Sequence, residues 1–149
     1  MARQLWLLRH GEAVPHDSKA DDADRELTGR GERQSAAAGA ALARLGQEFA
    51  AVYTSPKLRA ADTARLACEE LGVEPQHEPK LAGGPFDAEA LAAGLGDDVL
   101  LVGHDPDFSM AVHDLTGAQV RMKKGGLAGV EKGELKVLLR PGETRVIAD

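Results

Sequence analysis

Short hydrophobic runs alternate along the chain with longer segments in which apolar residues recur at helical spacing. The two clearest runs, Leu5–Leu8 and Val99–Val102, contain no polar residue. Such runs are typical of strands buried on both faces of a sheet, and their shortness favours strands over helices. A third apolar segment and a closing hairpin that turns at Gly133 complete the pattern. The predicted strands are Leu5–Leu8, Phe49–Tyr53, Val99–Val102, Leu127–Glu131 and Leu135–Leu139.

Helical periodicity and helix-end signals occupy the segments between these strands. Thr28 is suited to cap a helix whose apolar residues recur through Gln34–Leu45, and Gly46 follows as a stop signal. Ser55 followed by Pro56 predicts another helix start, with serine as the cap and proline at the first helical position. The other signals are a helix stop at Gly72, a loop with one short strand at most over 75–86, a short helix from Asp87 to near Gly94, and a helix over Pro106–Leu115.

Strands that alternate with helices predict an α/β fold, a three-layer sandwich in which helices flank a mostly parallel central sheet. The length of 149 residues fits one domain over 1–149, and the sequence contains no repeat and no recognisable linker. Three strands that precede helices in the order of the chain would present their carboxyl ends at one edge of this sheet. Ligands of open α/β sheets bind at that edge.

Composition narrows the possible partners. The net charge of −6 argues against nucleic acids and anionic membranes, because both would be repelled by the protein as a whole. No segment approaches the roughly 20 apolar residues that a membrane span requires. Cys68 is the only cysteine, so no internal disulfide forms, and it lies on a predicted apolar helix face. These features predict a cytoplasmic protein.

Cationic and titratable residues follow three of the predicted strands. Arg9 and His10 end the first strand, Arg59 comes shortly after the second, and His104 follows Val99–Val102. These side chains would repel one another unless an anion lay between them. A helix N-terminus near Ser55 would add free N–H groups that favour phosphate, and guanidinium groups can bind two phosphate oxygens at once. The pattern therefore predicts a phosphate-binding pocket.

Three motifs resemble those of the histidine phosphatase superfamily. Leu7–Glu12 contains Arg9–His10–Gly11 and resembles the RHG signature, and Val102–Pro106 resembles the third motif, GHxP. Ser55–Ala60 with Thr63–Ala64 resembles the second motif, SPxxRAxxTA. Their order and spacing match the family over nearly the whole chain. The chain's shortness, together with Leu27–Thr28 and Gly31 after an aspartate-rich stretch, resembles the SixA-like branch of phosphohistidine phosphatases.

This resemblance implies a mechanism. His10 would attack phosphorus and form a covalent phosphohistidine that water then hydrolyses, while Arg9, Arg59 and His104 bind the phosphate oxygens. No metal or other cofactor is implied. Many relatives carry a glutamate in the stretch that reads Lys80–Gly84 here, and it is absent. Asp105, directly after His104, is the candidate proton donor.

Alternatives to this hypothesis remain. The favoured substrate is phosphohistidine of a protein, such as a phosphorelay domain, but a sugar or nucleotide phosphate is a second possibility, and a non-catalytic phosphate-binding module is a third. His104 and Asp105 with Asp107 offer a weak metal motif. The acidic cluster of Asp17, Asp21, Asp22 and Asp24 lacks the ligand order of a calcium loop and is interpreted as solvated. Lys123 and Lys124 are interpreted as a solvated turn or as the pocket rim.

Overall fold

The computed structural model describes residues 3–16 and 21–149. Its six strands form one sheet in the order β3-β2-β4-β1-β5-β6. The pairs β1/β4, β2/β4 and β2/β3 are parallel, whereas β5 and β6 are added as antiparallel strands. The mostly parallel α/β sheet predicted from the sequence is thereby confirmed. The strands are β1 (Gln4–Arg9), β2 (Ala51–Thr54), β3 (Pro75–His77), β4 (Asp98–Gly103), β5 (Leu127–Glu131) and β6 (Glu134–Leu139).

In the described ranges 3–16 and 21–149, five α-helices flank this sheet, and two short 3-10 helices lie at Asp22–Asp24 and Pro79–Leu81. Thr28 caps the first helix as predicted, since its side chain accepts a hydrogen bond from the Gly31 amide. Among the described residues, no helix combines the length and apolar character needed to cross a membrane. The helices are α1 (Gly29–Arg44), α2 (Leu58–Leu71), α3 (Ala88–Ala92), α4 (Asp107–Thr116) and α5 (Pro141–Ala148).

Alternate residues of the central strands enter two separate hydrophobic cores. Leu5 and Leu7 of β1 face the core formed with α3 and α4, in which Phe108 is fully buried. Trp6 and Leu8 face the opposite core, formed with α1 and α2. Because both faces of the central strands are covered, these strands read as continuous apolar runs. The sheet and the helices packed on its two faces form the predicted three layers.

One helix prediction needs correction, and one helix was not predicted. The helix after β2 begins at Leu58 with Lys57 as its N-cap, not at Ser55 and Pro56. The Ser55 hydroxyl accepts a hydrogen bond from the Lys57 amide and contacts His104, so this residue shapes a turn before the helix instead of capping it. The C-terminal helix α5 was not predicted, although Pro141 at its start and the capping contact of Glu143 with Arg140 are recognisable start signals.

Candidate active site

The register of the parallel strands brings the two motif histidines together. Arg9, the last residue of β1, pairs with Gly103, the last residue of β4. His10 and His104 therefore directly follow the ends of two adjacent strands. Their ring centroids lie 5.2 Å apart. Thr54 at the end of β2 pairs with Val102, which places Ser55 next to the same strand end. The carboxyl edge of the sheet therefore assembles side chains from three segments that are distant in sequence.

His10 is buried and held in one orientation by the backbone. Its Nδ1 atom lies 2.7 Å from the carbonyl oxygen of Gly11, so Nδ1 carries the proton and donates it to that oxygen. The Nε2 atom is then left with its lone pair. Burial, with smaller contributions from the neighbouring His104, Arg59 and Arg9, lowers the pKa of His10 to about 3, against the opposing effect of the Gly11 carbonyl. His10 is thus neutral at physiological pH, as a nucleophile must be.

Ser55 sets the tautomer of His104. The Ser55 Oγ atom accepts a hydrogen bond from the Lys57 amide at 3.2 Å and lies 2.8 Å from His104 Nε2. The hydroxyl proton is free to be donated to Nε2, and in that tautomer the ring proton of His104 lies on Nδ1. Burial lowers the pKa of His104 to about 4, with Arg59 and Lys57 as further causes and Asp22 opposing them. A neutral His104 presents an N–H donor at Nδ1.

The two arginines are anchored through part of their guanidinium groups. Arg59, in the first turn of α2, donates from Nη1 to the Asp22 carbonyl at 2.8 Å and from Nη2 to its carboxylate at 3.1 Å. Arg9 donates from Nη1 to the carbonyl of Met122 at 2.8 Å. Burial lowers the pKa of Arg9, while Asp105 counteracts that effect. Both cations are therefore fixed beside His10 and partly removed from water.

Three buried donors at this site have no hydrogen-bond partner within residues 3–16 and 21–149: Arg9 Nε, Arg59 Nε and His104 Nδ1. Arg59, His104 and His10 are each only 6% exposed. Buried donors without partners are costly and rare in native proteins, so a set of three beside one histidine requires an explanation. An anion with several acceptor oxygens would satisfy all of them at once.

Close backbone contacts set the position of the Arg9–His10–Gly11 turn. A Cβ atom at Gly11 would lie 2.5 Å from the Gly31 carbonyl oxygen, and one at Gly31 would lie 2.0 Å from that of Glu12. The Gly11 amide donates to the Thr63 hydroxyl at 3.0 Å. Only glycine permits α1 to approach the turn this closely. The glycine of the first motif thus holds the His10 backbone against α1 and α2.

Asp105 lies at the rim, with both carboxylate oxygens engaged. Its Oδ1 accepts from the Ser109 amide at 2.9 Å and its Oδ2 from the Ser109 hydroxyl at 2.7 Å. Asp107 instead accepts from the Gly84 amide at 3.0 Å. Within the described part of the chain, no three His, Cys, Asp or Glu side chains cluster as metal ligands do. The weak metal motif around His104 therefore has no supporting ligand set there.

Lys123 and Lys124 are exposed and line a cleft of about 390 Å³ next to Arg9. Arg30 also lines this cleft and pairs with Glu12 at 3.5 Å. The lysines thus lie at the rim of the site, one of the two interpretations that the sequence left open. Cys68 is buried in the core under α2, where burial raises its pKa to about 12. Its thiol is therefore not available as a second nucleophile.

Asp22 is a site residue that sequence reasoning missed, because the acidic cluster was interpreted as solvated. Its carboxylate contacts Lys57 at 3.2 Å and Arg25 and Arg59 at 3.1 Å each. Asp17 of the same cluster lies outside the described residues. No local signal in the sequence distinguishes Asp22 from its acidic neighbours, since its partners Lys57 and Arg59 are supplied by a distant segment.

Comparison with known proteins gives a family and a fold. Residues 5–86 match the model of the histidine phosphatase superfamily (branch 1). An uncharacterized protein of Picosynechococcus sp. is 35% identical over 145 residues, which cover 90% of this chain and 88% of that protein. A structure provisionally assigned as the phosphohistidine phosphatase SixA of Nakamurella multipartitia is similar with a TM-score of 0.79 and 25% identity, over 95% of this chain and 97% of the other.

Two further structures share the fold. The protein histidine phosphatase SixA in complex with tungstate matches with a TM-score of 0.81 and 24% identity, over 94% of this chain and 98% of the other. A structure provisionally assigned as an alpha-ribazole-5'-P phosphatase of Escherichia coli matches with a TM-score of 0.73 and 20% identity, over 95% and 98%. The chain therefore belongs to the histidine phosphatase superfamily, in its SixA-like branch, and is a phosphatase.

Proposed function

We propose that this protein removes phosphate from phosphohistidine of a protein, without a metal ion, through a covalent intermediate on His10. The observation that carries the proposal is the set of three unpartnered buried donors, Arg9 Nε, Arg59 Nε and His104 Nδ1, beside a buried neutral histidine. A phosphoryl group is the ligand whose charge and oxygen count suit them. Tungstate, the oxyanion bound in one SixA structure, resembles phosphate in charge and shape.

The chemistry can be written with these residues alone. His10 Nε2 attacks phosphorus, a bond from Nε2 to phosphorus forms, and the bond from phosphorus to the substrate nitrogen breaks. The Gly11 carbonyl accepts the hydrogen bond from Nδ1 and stabilises the positive charge that develops on the ring. Water then attacks phosphorus, inorganic phosphate leaves, and His10 returns to its neutral state. Arg9, Arg59 and His104 stabilise the phosphoryl oxygens during both transfers.

The state of the carboxylates supports phosphohistidine as the substrate. Lys80–Gly84 contains no acidic residue, and both oxygens of Asp105 already accept hydrogen bonds from Ser109. An alkyl phosphate releases a strongly basic oxygen that needs a proton from the enzyme. A phosphohistidine ring can take a proton from water on its second nitrogen and leave as neutral imidazole. The absence of a free acid therefore matters less for this substrate.

A small phosphate ester is the second candidate. The cleft beside Arg9, with Arg30, Lys123 and Lys124, has room for further anionic parts of such a molecule. In that case Asp105 would have to leave Ser109 and donate the proton. We also propose a cytoplasmic location, because the single cysteine Cys68 is a free buried thiol. A role in signal transduction would follow from a phosphorelay substrate.

The test compares phosphate release from a phosphohistidine peptide and from an alkyl phosphate, glycerol 3-phosphate, with a chelator present throughout. The variants are wild type, His10→Ala, Asp105→Asn, and His113→Ala as a control on an exposed histidine of α4. We expect release from the peptide in wild type and His113→Ala, none in His10→Ala, and little change in Asp105→Asn.

Other outcomes identify the error. Ester hydrolysis that exceeds peptide hydrolysis and disappears in Asp105→Asn would favour the small-ester function. Release that persists in His10→Ala would place the nucleophile elsewhere. Tungstate binding by calorimetry without turnover of either substrate would indicate a binding module.

A further inference from the structure

Asp22 is the one acidic side chain that contacts the candidate phosphate ligands, among the residues that the structure describes. Its backbone carbonyl accepts from Arg59 Nη1 at 2.8 Å, and its Oδ2 atom accepts from Arg59 Nη2 at 3.1 Å. The same Oδ2 atom accepts from Lys57 Nζ at 3.2 Å. One residue thus occupies both terminal nitrogens of the buried Arg59 guanidinium through two separate groups.

The contacts of Asp22 leave one part of Arg59 unused. The buried Nε atom has no partner within residues 3–16 and 21–149. A guanidinium can grip a phosphoryl group through the two Nη atoms or through the edge formed by Nε and one Nη. Because Asp22 already holds both Nη atoms, the Nε edge is the one that remains for a ligand.

We propose that Asp22 is a positioning residue, which fixes the Arg59 guanidinium so that its Nε edge faces the phosphoryl group on its way to His10. This inference rests on the proposed phosphatase function of the site. Asp22 does not contact the phosphoryl group in this arrangement and acts through Arg59. Its negative charge also offsets the mutual repulsion of Arg59 and Lys57 while the pocket is empty.

The surrounding segment holds Asp22 in place. Arg25 donates from Nη1 to Asp22 Oδ1 at 3.1 Å and from Nε to the carbonyl of Val14 at 2.9 Å. The two ends of the segment are joined to each other by the bond from the Val14 amide to the Glu26 carbonyl, at 2.8 Å, and by the bridge between Ala13 and Leu27, which close it at its base. The support for Arg59 is therefore itself anchored on both sides.

Asp22 is ionised at neutral pH. Arg25, Lys57 and Arg59 hold the pKa of its carboxyl group well below the usual range, with Arg25 as the largest influence. An acid that keeps its negative charge cannot donate the proton to a leaving group. The geometry thus separates Asp22, which orients a cation, from Asp105, the candidate donor.

The consequence for turnover is specific. Without the Asp22 carboxylate, Arg59 keeps its charge and still attracts phosphate, but its guanidinium group is no longer held in one orientation. The Asp22→Asn variant is therefore expected to lose kcat more than it raises KM. The size expected is about 10-fold to 100-fold in kcat/KM, comparable to the loss of one charged hydrogen bond. Phosphohistidine and p-nitrophenyl phosphate should be affected equally, because they share the phosphoryl group.

The experiment measures kcat and KM for both substrates in wild type, Asp22→Asn and Asp24→Asn. Asp24 is the matched control, since it is an exposed aspartate of the same 3-10 helix. Asp22→Asn is also made in an Arg59→Lys background, where no fork exists to be oriented. Tungstate binding by calorimetry and unfolding by urea accompany each variant. We expect a large effect of Asp22→Asn in wild type, an effect below about threefold in the lysine background, and none for Asp24→Asn.

Contrary results separate the two proposals. Asp22→Asn that equals Asp24→Asn, in an enzyme whose turnover depends on His10, overturns the inference and leaves the proposed function intact. An undiminished loss in the Arg59→Lys background also overturns it, because Asp22 would then act on something other than the fork. A wild-type protein that neither binds tungstate nor releases phosphate refutes the proposed function, and the inference fails with it.

Discussion

The two ends of the central sheet are built on opposite principles. At the carboxyl end of β1 and β4, buried arginines and histidines lie together, and three of their nitrogen atoms have no hydrogen-bond partner among the described residues. At the other end, near Leu5, a cavity of about 280 Å³ has a mainly apolar lining, with polar groups at its rim. Its lining residues are Leu5, Glu89, Ala92, Leu115, Val130, Lys132 and Gly133.

The difference shows where stability has been given up for chemistry. An apolar cavity costs only lost contacts, and it leaves no polar group without a partner. Buried donors without acceptors cost desolvation energy, and clustered cations add repulsion. A fold has no need of such an arrangement for itself. Binding of an oxyanion would provide acceptors for the donors and reduce the repulsion between the cations. Phosphate should therefore stabilise the carboxyl end, as hydrophobic packing stabilises the other end.

The largest expected effect is at the carboxyl end. His10→Gln should reduce turnover by at least about 10³-fold, because it removes the proposed nucleophile and with it the proposed covalent route. Its free energy of unfolding at pH 7 should stay within about 1 kcal/mol of wild type, since the fold does not depend on the imidazole. Turnover assays and urea unfolding measure the two quantities. A severe loss of stability would mean that His10 supports the fold, and the contrast between the ends would be broken.

The next effect belongs to the opposite end. Leu5→Ala should lower the free energy of unfolding by about 2 to 5 kcal/mol, the usual cost of emptying a buried leucine site. Turnover at 25 °C should change less than twofold, because Leu5 is remote from His10 along the strand. Leu138→Ala is the control, since Leu138 is 44% exposed. If Leu5→Ala impaired catalysis while it remained folded, the two ends would not be independent.

A smaller effect is expected for the Ser55 hydroxyl, which contacts His104 at the carboxyl end. Ser55→Ala removes the donor to His104 Nε2, so the ring proton is no longer held on Nδ1. We expect a loss of about 10-fold in kcat, on the scale of one hydrogen bond to a charged transition state. Nitrogen chemical shifts of His104 should show the change of tautomer. Thr116→Ala, which removes a hydroxyl that bonds within α4, should leave both readouts unchanged.

The last effect is a pH dependence of stability that the carboxyl end creates. Both folded pKa values are depressed, to about 3 for His10 and about 4 for His104. Below about pH 6.5, the unfolded chain therefore takes up protons that the folded protein refuses, and stability falls by roughly 1 kcal/mol per histidine and pH unit. Above pH 6.5 these residues contribute no slope. Urea unfolding at pH 7, 6 and 5 measures it.

The His10→Gln variant sharpens this last prediction. It should remove the share of the slope due to His10, whereas His113→Gln on the exposed face of α4 should leave the slope as in wild type. An unchanged slope in His10→Gln would show that His10 is protonated in the folded protein at pH 5. Its burial would then not have the electrostatic effect described.

The residues that were predictable from the sequence are those whose signals are local. Val99–Val102 reads as a buried strand because both of its faces are covered, and His104 follows directly from where that strand ends. The predicted start of α2 was wrong. Ser55 is a residue type that often caps helices, but its hydroxyl contacts His104, which follows another strand. Asp22 escaped because its partners lie beyond any local pattern. Local chemistry predicts elements, whereas long-range pairing decides what a polar residue does.

The pairing of Arg9 with Gly103 also bears on how β1 and β4 align while the chain folds. A slip of β1 by two residues along β4 would keep every side chain on its own face. It would nevertheless move two of the four apolar residues Leu5–Leu8 away from the buried run Val99–Val102 and put polar neighbours in their place, so hydrophobic burial favours the observed alignment. The slip would also carry His10 roughly 6 to 7 Å away from its place beside His104, given the rise of about 3.3 Å per strand residue. A phosphate ion present while the chain folds would favour the same alignment, because only that alignment brings the residues of its site together.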